Sequence, residues 1–220
     1  MNPPQAIIYD FDGTLVDTLP WHLEAYRNAL AKFDIQASDE DIITRCFNII
    51  DPVAAKNFGI EDADAFAAFY SEGVKDGFRK ADLHHHVIET LQKLKEMDYT
   101  LCLGTLGKHV EIDIALNRFD LQQYFDIILG YDECPHPKPV IFRTIAEKVG
   151  IDPAHILVVG DASNDIDAAK KMHSRVALYH PIEHEKFYPL AQLQVLAPDF
   201  VIADHVDVFK IVEKNKETIN

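Results

Sequence analysis

Nowhere does the sequence approach the roughly 20 continuous apolar residues that a membrane-spanning helix needs. The N-terminal stretch Met1-Asn2-Pro3-Pro4-Gln5 also lacks the basic and apolar regions of a secretory signal. Cysteine is scarce: Cys46, Cys102 and Cys134 are odd in number and show no metal-ligand spacing. That argues against a disulfide framework and points to a reducing compartment. Basic residues are outnumbered, 21 Lys and Arg against 36 Asp and Glu, and the net charge of -15 argues against a nucleic-acid partner. No internal repeat, low-complexity segment or long linker interrupts the chain. The expectation is a soluble, cytoplasmic, globular protein with no membrane partner. Its 220 residues, 48% of them apolar, suffice for one large domain or a core with a smaller insert. The acidic balance still permits a small anionic substrate, because a metal ion, a lysine and oriented backbone N–H groups can be concentrated at one place.

What is present is a set of short apolar runs ending on small or acidic residues. Ile7-Ile8-Tyr9 stops on Asp10 and Asp12, followed by Gly13 and Thr14. Tyr99 to Leu103 precedes Gly104-Thr105, Phe125 to Leu129 precedes Gly130, and Ile156 to Val159 precedes Gly160-Asp161. Such runs read as strands buried on both faces of a parallel sheet, with Val176 to Tyr179 and Phe200 to Ala203 as weaker examples. Helical periodicity lies between them, as in Val87, Leu91 and Leu94, and in Val140, Ile141, Ile145 and Val149 before Gly150. Alternating strand and helix implies an α/β fold, a doubly wound and mainly parallel Rossmann-like sheet.

From Leu19 to about Arg79 the pattern is helical throughout. Leu23, Tyr26 and Leu30 share a face, Ser38 is placed to cap a helix through Asp41, and Phe66, Phe69 and Tyr70 recur at helical spacing. The expected organisation is an α/β core of residues 1–17 and 82–220 with a helical cap of residues 18–81, rising from the sheet edge that carries Asp10 and Asp12.

Strand alternation puts Asp10 and Asp12 on one side at a strand's carboxyl end, where open parallel sheets bind ligands. Two crowded carboxylates call for a metal, acid/base chemistry, or both. Thr105, Lys138 (within Pro137-Lys138-Pro139) and Asp161 with Asp165 line up at the ends of the strands that follow. Together they suggest phosphoryl transfer: a carboxylate attacks phosphorus, Mg²⁺ takes hard oxygen ligands, and a lysine and a hydroxyl hold the phosphate oxygens.

With Asp10-Phe11-Asp12-Gly13-Thr14 first, Thr105 second, Lys138 third and Asp161 with Asp165 fourth, nearly the whole chain resembles the haloacid dehalogenase superfamily of hydrolases. The resemblance is to its phosphatase-like branch with a helical cap of the first type, as in phosphoglycolate phosphatases and β-phosphoglucomutases. It implies that Asp10 is the nucleophile and a Mg²⁺ ligand. Asp12 would move the proton, its backbone carbonyl also touching the metal, and Thr105 and Lys138 would bind phosphate along with Phe11 and Leu106. Asp161 would ligate the metal, and Asp165 would either ligate it or hold a metal-bound water. Asp165 also reads as a cap for the helix starting near Ser163.

Two departures stand out. Leu106 occupies a position often held by Asn, and the helix running to His173 lacks the glycine usual near its end, which reads as a changed turn. Near the cap entry, His22 assists proton transfer, binds substrate or merely packs at a helix start. Trp21 reads as packing, and Arg45 as either a substrate contact or an exposed helix arginine. His180, His184 and His205 lack zinc-ligand spacing and are expected at surface turns. The leading expectation is a Mg²⁺-dependent phosphatase of a small phosphorylated metabolite working through an aspartyl phosphate. A phosphomutase and a catalytically silent binding protein are the alternatives, and halide release fits the residues less well. The residues leave the specific substrate and the oligomeric state open.

Overall fold

The computed structural model describes residues 4–49, 51–135 and 137–213. Met1, Asn2 and Pro3 of the N-terminal stretch lie outside them. The chain runs β1 (Ala6–Tyr9), α1 (Leu19–Ala31), α2 (Asp39–Cys46), α3 (Asp51–Asn57), α4 (Ala63–Lys80), α5 (Val87–Glu96), β2 (Thr100–Gly104), α6 (His109–Arg118) and β3 (Ile127–Leu129). It continues through α7 (Lys138–Val149), β4 (Ile156–Gly160), α8 (Ser163–Met172), β5 (Arg175–Tyr179), α9 (Leu190–Gln194), β6 (Phe200–Ile202) and α10 (Asp207–Glu213).

The six strands form one sheet in the order β3-β2-β1-β4-β5-β6, and every pairing is parallel. Strand alternation sorts β1 between two cores. Ile7 and Tyr9 join Val87, Leu91, Ile112 and Val208 on one face, while Ala6 and Ile8 join Ile141, Phe142, Ile145 and Ile166 on the other. The order reverses between β1 and β4, so the crevice at their carboxyl ends is the ligand position that this topology favours.

Helices α1 to α4 all lie between β1 and α5 and build a third apolar cluster around Leu23, Tyr26, Leu30, Ile42 and Phe66. Ser38 Oγ accepts from Asp41 N at 3.1 Å and caps α2. These helices also meet the loop after β5. There Phe187 stacks on Phe47 at 5.6 Å, Tyr188 sits edge-on to Phe47, and Lys186 pairs with Asp39 at 2.8 Å. Trp21 packs against the core cluster beside Gly77, with Lys80 over its ring.

Four readings of the sequence change. Phe69 is 42% exposed and Val140 41% exposed, because each lies one residue off the buried stripe defined by Phe66 and by Ile141 and Ile145. The helix lacking its terminal glycine keeps the ordinary left-handed end, with His173 itself at φ +61°. The three histidines expected at surface turns are buried. His180 is tied to the Tyr188 carbonyl at 2.8 Å, His205 to the Thr14 carbonyl at 2.9 Å, and His184 lies beneath the turn of residues 182–186.

His184 packs against the rings of His84, His180 and Tyr179, and neither of its ring nitrogens has a hydrogen-bond partner among the described residues. Burial pushes His184 down to about 3, and His84 and His205 down to about 4. These rings fold neutral, whereas the unfolded chain takes up protons near pH 6.5. Their contribution is therefore whole above that pH and is lost as pH falls from 6.5 towards 4. Denaturant midpoints of the wild type and His184→Leu at pH 7.5 and pH 5 test this. The wild type should lose up to about 2 kcal/mol more than the variant between the two pH values.

Candidate active site

β1 ends at Tyr9, so Asp10 and Asp12 occupy the turn beyond it and do not share a strand face. Their carboxylates serve different partners. Asp10 Oδ2 lies 2.7 Å from Lys138 Nζ, whereas Asp12 Oδ1 lies 2.8 Å from His22 Nε2. The turn depends on Gly13, whose φ of +70° is costly for a side chain and whose added Cβ would fall 2.5 Å from Asp161 Oδ2. Thr14 then donates from Oγ1 to Asp161 Oδ1 at 2.9 Å, which ties the β1 turn to the end of β4.

Lys138 is the first residue of α7, behind Pro137, and its side chain is only 4% exposed. A cation at a helix N-terminus meets the unfavourable end of the macrodipole. Two carboxylates offset this, Asp10 at 2.7 Å and Asp165 at 2.6 Å. Burial alone would lower the lysine pKa, but the Asp10 and Asp165 charges outweigh burial and raise it, so the ammonium stays charged. Asp165 Oδ2 also accepts from Ala162 N at 3.1 Å, so one carboxylate both braces the start of α8 and holds Lys138.

Asp10, Asp161 and Asp165 each bring one oxygen within 4.8 Å of the others. Burial, and next the Asp165 charge, push Asp10 up to about 7 against the pull of Lys138. Burial followed by the Asp10 and Asp165 charges holds Asp161 well above the ordinary carboxylate range. Asp161 Oδ2 is buried with no hydrogen-bond partner among the described residues. Three buried carboxylates around one ammonium leave an excess of negative charge and an orphaned oxygen, and a hard divalent cation suits both. Asp12 is different: its Oδ1 lies 2.8 Å from His22 Nε2, and its carboxylate is not part of the group formed by Asp10, Asp161 and Asp165.

Thr105 follows β2 and is buried, with its N–H on the Leu129 carbonyl at 3.0 Å and its Oγ1 accepting from Gly107 N at 3.0 Å. Because the oxygen accepts from the backbone, the hydroxyl hydrogen is left to donate. Phe11 is fully buried and the Leu106 side chain is 41% exposed, so only backbone groups at these two positions suit an anion. His22 belongs to the site, but Arg45 does not join it. Its guanidinium lies over the Phe58 ring, 3.5 Å from the Asn57 carbonyl and 3.7 Å from Asp41, all within the inserted helices.

Three residues of this assembly were not singled out from the sequence. Thr14 stood in plain view beside Gly13. Gly160 is required because its added Cβ would lie 2.2 Å from Asp165 Cγ, a proximity invisible in a linear reading. Tyr70 reads as a helix core aromatic, yet its hydroxyl is 2.8 Å from His22 Nδ1. Gly160→Ala should push Asp165 off Lys138. A loss of roughly 1–3 kcal/mol in unfolding free energy, together with a fall in phosphate release, is the expected result.

Residues 7–179 match the family described as Haloacid dehalogenase-like hydrolase. A phosphoglycolate phosphatase of Mannheimia succiniciproducens is 30% identical over 96% of this chain and 100% of its own length. A pyrophosphatase of Oceanobacillus iheyensis is 24% identical over 94% of this chain and 96% of its own. Among solved structures, a predicted phosphoglycolate phosphatase from Haemophilus somnus superposes with a TM-score of 0.81 at 28% identity, covering 96% of this chain and 99% of that one. A predicted phosphatase from Clostridium acetobutylicum gives a TM-score of 0.83 at 20% identity, over 97% and 100% of the two chains, a likeness of fold.

Proposed function

The chain belongs to the haloacid dehalogenase-like hydrolases, and from that premise we propose that it is a Mg²⁺-dependent phosphatase of small phosphorylated metabolites, acting through an aspartyl phosphate on Asp10. The observation that carries this reading is the buried grouping of Asp10, Asp161 and Asp165 around Lys138, with an unpartnered oxygen on Asp161. Asp10, Asp161, Asp165 and the backbone carbonyl of Asp12 would hold the ion, which supplies positive charge that lets one anion approach another.

The chain's own groups perform the transfers. A carboxylate oxygen of Asp10 bonds to phosphorus as the ester P–O bond breaks, and Asp12 gives its proton to the departing oxygen, releasing the alcohol. Asp12, now anionic, takes a proton from water. The water oxygen bonds to phosphorus as the bond to Asp10 breaks, which frees phosphate and restores both aspartates. Thr105 Oγ–H and Lys138 hold phosphate oxygens, with backbone N–H groups at Phe11 and Leu106. Residues 18–81 act as the cap over a catalytic core of 1–17 and 82–220, and close the site to bulk water. Three buried, unpaired cysteines fit a reducing, cytoplasmic setting. Among the described residues no helix is long and apolar enough to cross a membrane.

The relatives' names make phosphoglycolate and pyrophosphate the first compounds to assay. A phosphate-release panel of these, sugar phosphates and an aryl phosphate, each with Mg²⁺, tests the reading. Mg²⁺-dependent release is expected. Clean isomerisation of a sugar phosphate without release would replace it with a mutase, and no turnover across the panel would replace it with a binding protein.

A further inference from the structure

We propose that His109, the first residue of α6, is a positioning residue for Thr105: as an imidazolium it clasps the loop of residues 105–108 to the loop of residues 130–133, and the deprotonated ring releases that clasp. The kinetic part of this rests on the reading of Thr105 as a phosphate ligand given above.

The first loop carries two groups assigned to phosphate, the Thr105 hydroxyl and the Leu106 N–H, and the second begins the segment that leads to Lys138. Their backbones touch. Tyr131 N donates to the Gly107 carbonyl at 2.9 Å, and a Cβ added to Gly130 would fall 2.9 Å from that same oxygen and 3.3 Å from His109 Cδ2. Gly107 N in turn donates to Thr105 Oγ1 at 3.0 Å, so a shift of Gly107 is felt at the hydroxyl. His109 supplies the rest of the seam. Its backbone N–H donates to Asp132 Oδ2 at 2.7 Å. Its ring lies between Asp113 Oδ1, 3.0 Å from Nδ1, and Glu133 Oε1, 2.7 Å from Nε2, the second being an ion pair off the hydrogen-bonding axis. Glu133 Oε2 also accepts from Gly130 N at 3.0 Å, which fixes the far side of the clasp.

A carboxylate offers only acceptors, so a bare ring nitrogen on either side would set lone pair against lone pair. Both nitrogens therefore carry hydrogen. The titratable and charged groups around the seam are Lys108, Glu111 and Asp113 from α6 and its start, and Tyr131, Asp132 and Glu133 from the facing loop. Burial, the helix N-terminus and Lys108 work against a cation here. The Asp113 hydrogen bond and the Glu133 and Asp113 charges outweigh burial and raise the His109 pKa. The ring is 30% exposed and Glu133 44% exposed, so the clasp is worth a few-fold in rate and not orders of magnitude. His109 touches neither substrate nor metal in this scheme; it acts through Gly107 and Thr105.

Three measurements on the full-length protein test this. In histidine NMR, His109 should titrate above the ordinary value of about 6.5, and Glu133→Gln should lower that midpoint. A wild-type midpoint at or below that value, or one that Glu133→Gln leaves in place, overturns the proposal. In hydrogen exchange at pH 6, the Tyr131 amide should exchange roughly fivefold faster in His109→Gln than in wild type, with the β1 amides unchanged. Equal rates at Tyr131, or an equal acceleration in β1, would leave His109 no local clasp and overturn it. In phosphate release, the ratio of wild-type to His109→Gln kcat/KM should fall from roughly fivefold at pH 6 to under about 1.5-fold at pH 9, because the variant shares every other titration. A ratio that does not move with pH overturns the proposal. The NMR and exchange results need no turnover, so a protein that releases no phosphate defeats the phosphatase reading separately from the clasp.

Discussion

Asp10→Asn will leave the protein folded and lower phosphate release by at least roughly 10³-fold, since the substitution removes the attacking oxygen's charge and leaves the shape of the side chain. The introduced amide can still accept from Lys138 through its oxygen, and Lys138 keeps Asp165 at 2.6 Å. The fold should tolerate the change because Asp10 sits in a buried, like-charged group where its ionised form is disfavoured, its pKa standing at about 7. Removing that charge relieves repulsion with Asp161 and Asp165. The measurements are kcat on an aryl phosphate with Mg²⁺ and a denaturant titration. A variant that unfolds no more easily yet keeps more than a tenth of wild-type kcat would remove Asp10 from the nucleophile's role.

Lys138→Met will cost about 3–5 kcal/mol of stability without metal at pH 8, the penalty for leaving buried carboxylates without their counter-charge. Met matches much of the lysine stem and keeps the packing over Phe142, where Nζ lies 5.9 Å from the ring centroid, so the loss reports charge and not a cavity. Two secondary effects identify the cause. Without Lys138 the raised carboxylate pKa values of Asp10 and Asp161 rise further, and groups raised above their unfolded values bind more protons folded than unfolded. The variant should therefore regain stability as pH falls from 8 towards 5. Mg²⁺ at millimolar concentration should restore part of the loss at pH 8, since a cation in the carboxylate group replaces charge. Phosphate release should stay at least roughly 10²-fold down even where stability returns, because the phosphate has lost its ammonium. Unfolding curves at two pH values and release assays, with and without Mg²⁺, measure all of this. A loss that neither pH nor Mg²⁺ moves would make Lys138 a packing residue.

Some of this was legible along the chain and some was not. Buried parallel strands are apolar on both faces, so Ile7-Ile8-Tyr9 and Ile156 to Val159 announced themselves without alternation. The turn residues after them, Asp10, Thr105 and Asp161, were readable because a site at a sheet edge must be built where strands stop. Phe69 and Val140 were misplaced because apolar spacing marks a stripe only to within one residue. The buried histidines were placed at the surface because a loop gives no periodic signal: His180 and His184 are covered where the turn after β5 folds towards the inserted helices, and His205, after β6, is covered by its contacts with the Thr14 carbonyl and the Tyr179 ring. Of the two readings of Arg45, a substrate contact or an exposed helix arginine, its neighbours Asp41, Asn57 and Phe58 and its half-exposed side chain favour the second.

The sequence by itself determined the fold class and which residues stood as candidates for the chemistry, because strand burial and the identity of side chains at strand ends are local properties written in order along the chain. Only the tertiary structure decided who partners whom. Lys138 meets Asp10 from far along the chain because β3 and α7 return to the edge where β1 ends, and Asp161 meets Thr14 across 147 residues because β4 pairs with β1. Asp12 and Asp10, near neighbours in sequence, were given different partners, His22 with Tyr70 in one case and a buried ammonium in the other. Electrostatic function depends on distance through space and on the exclusion of water, and neither is a property of the linear chain.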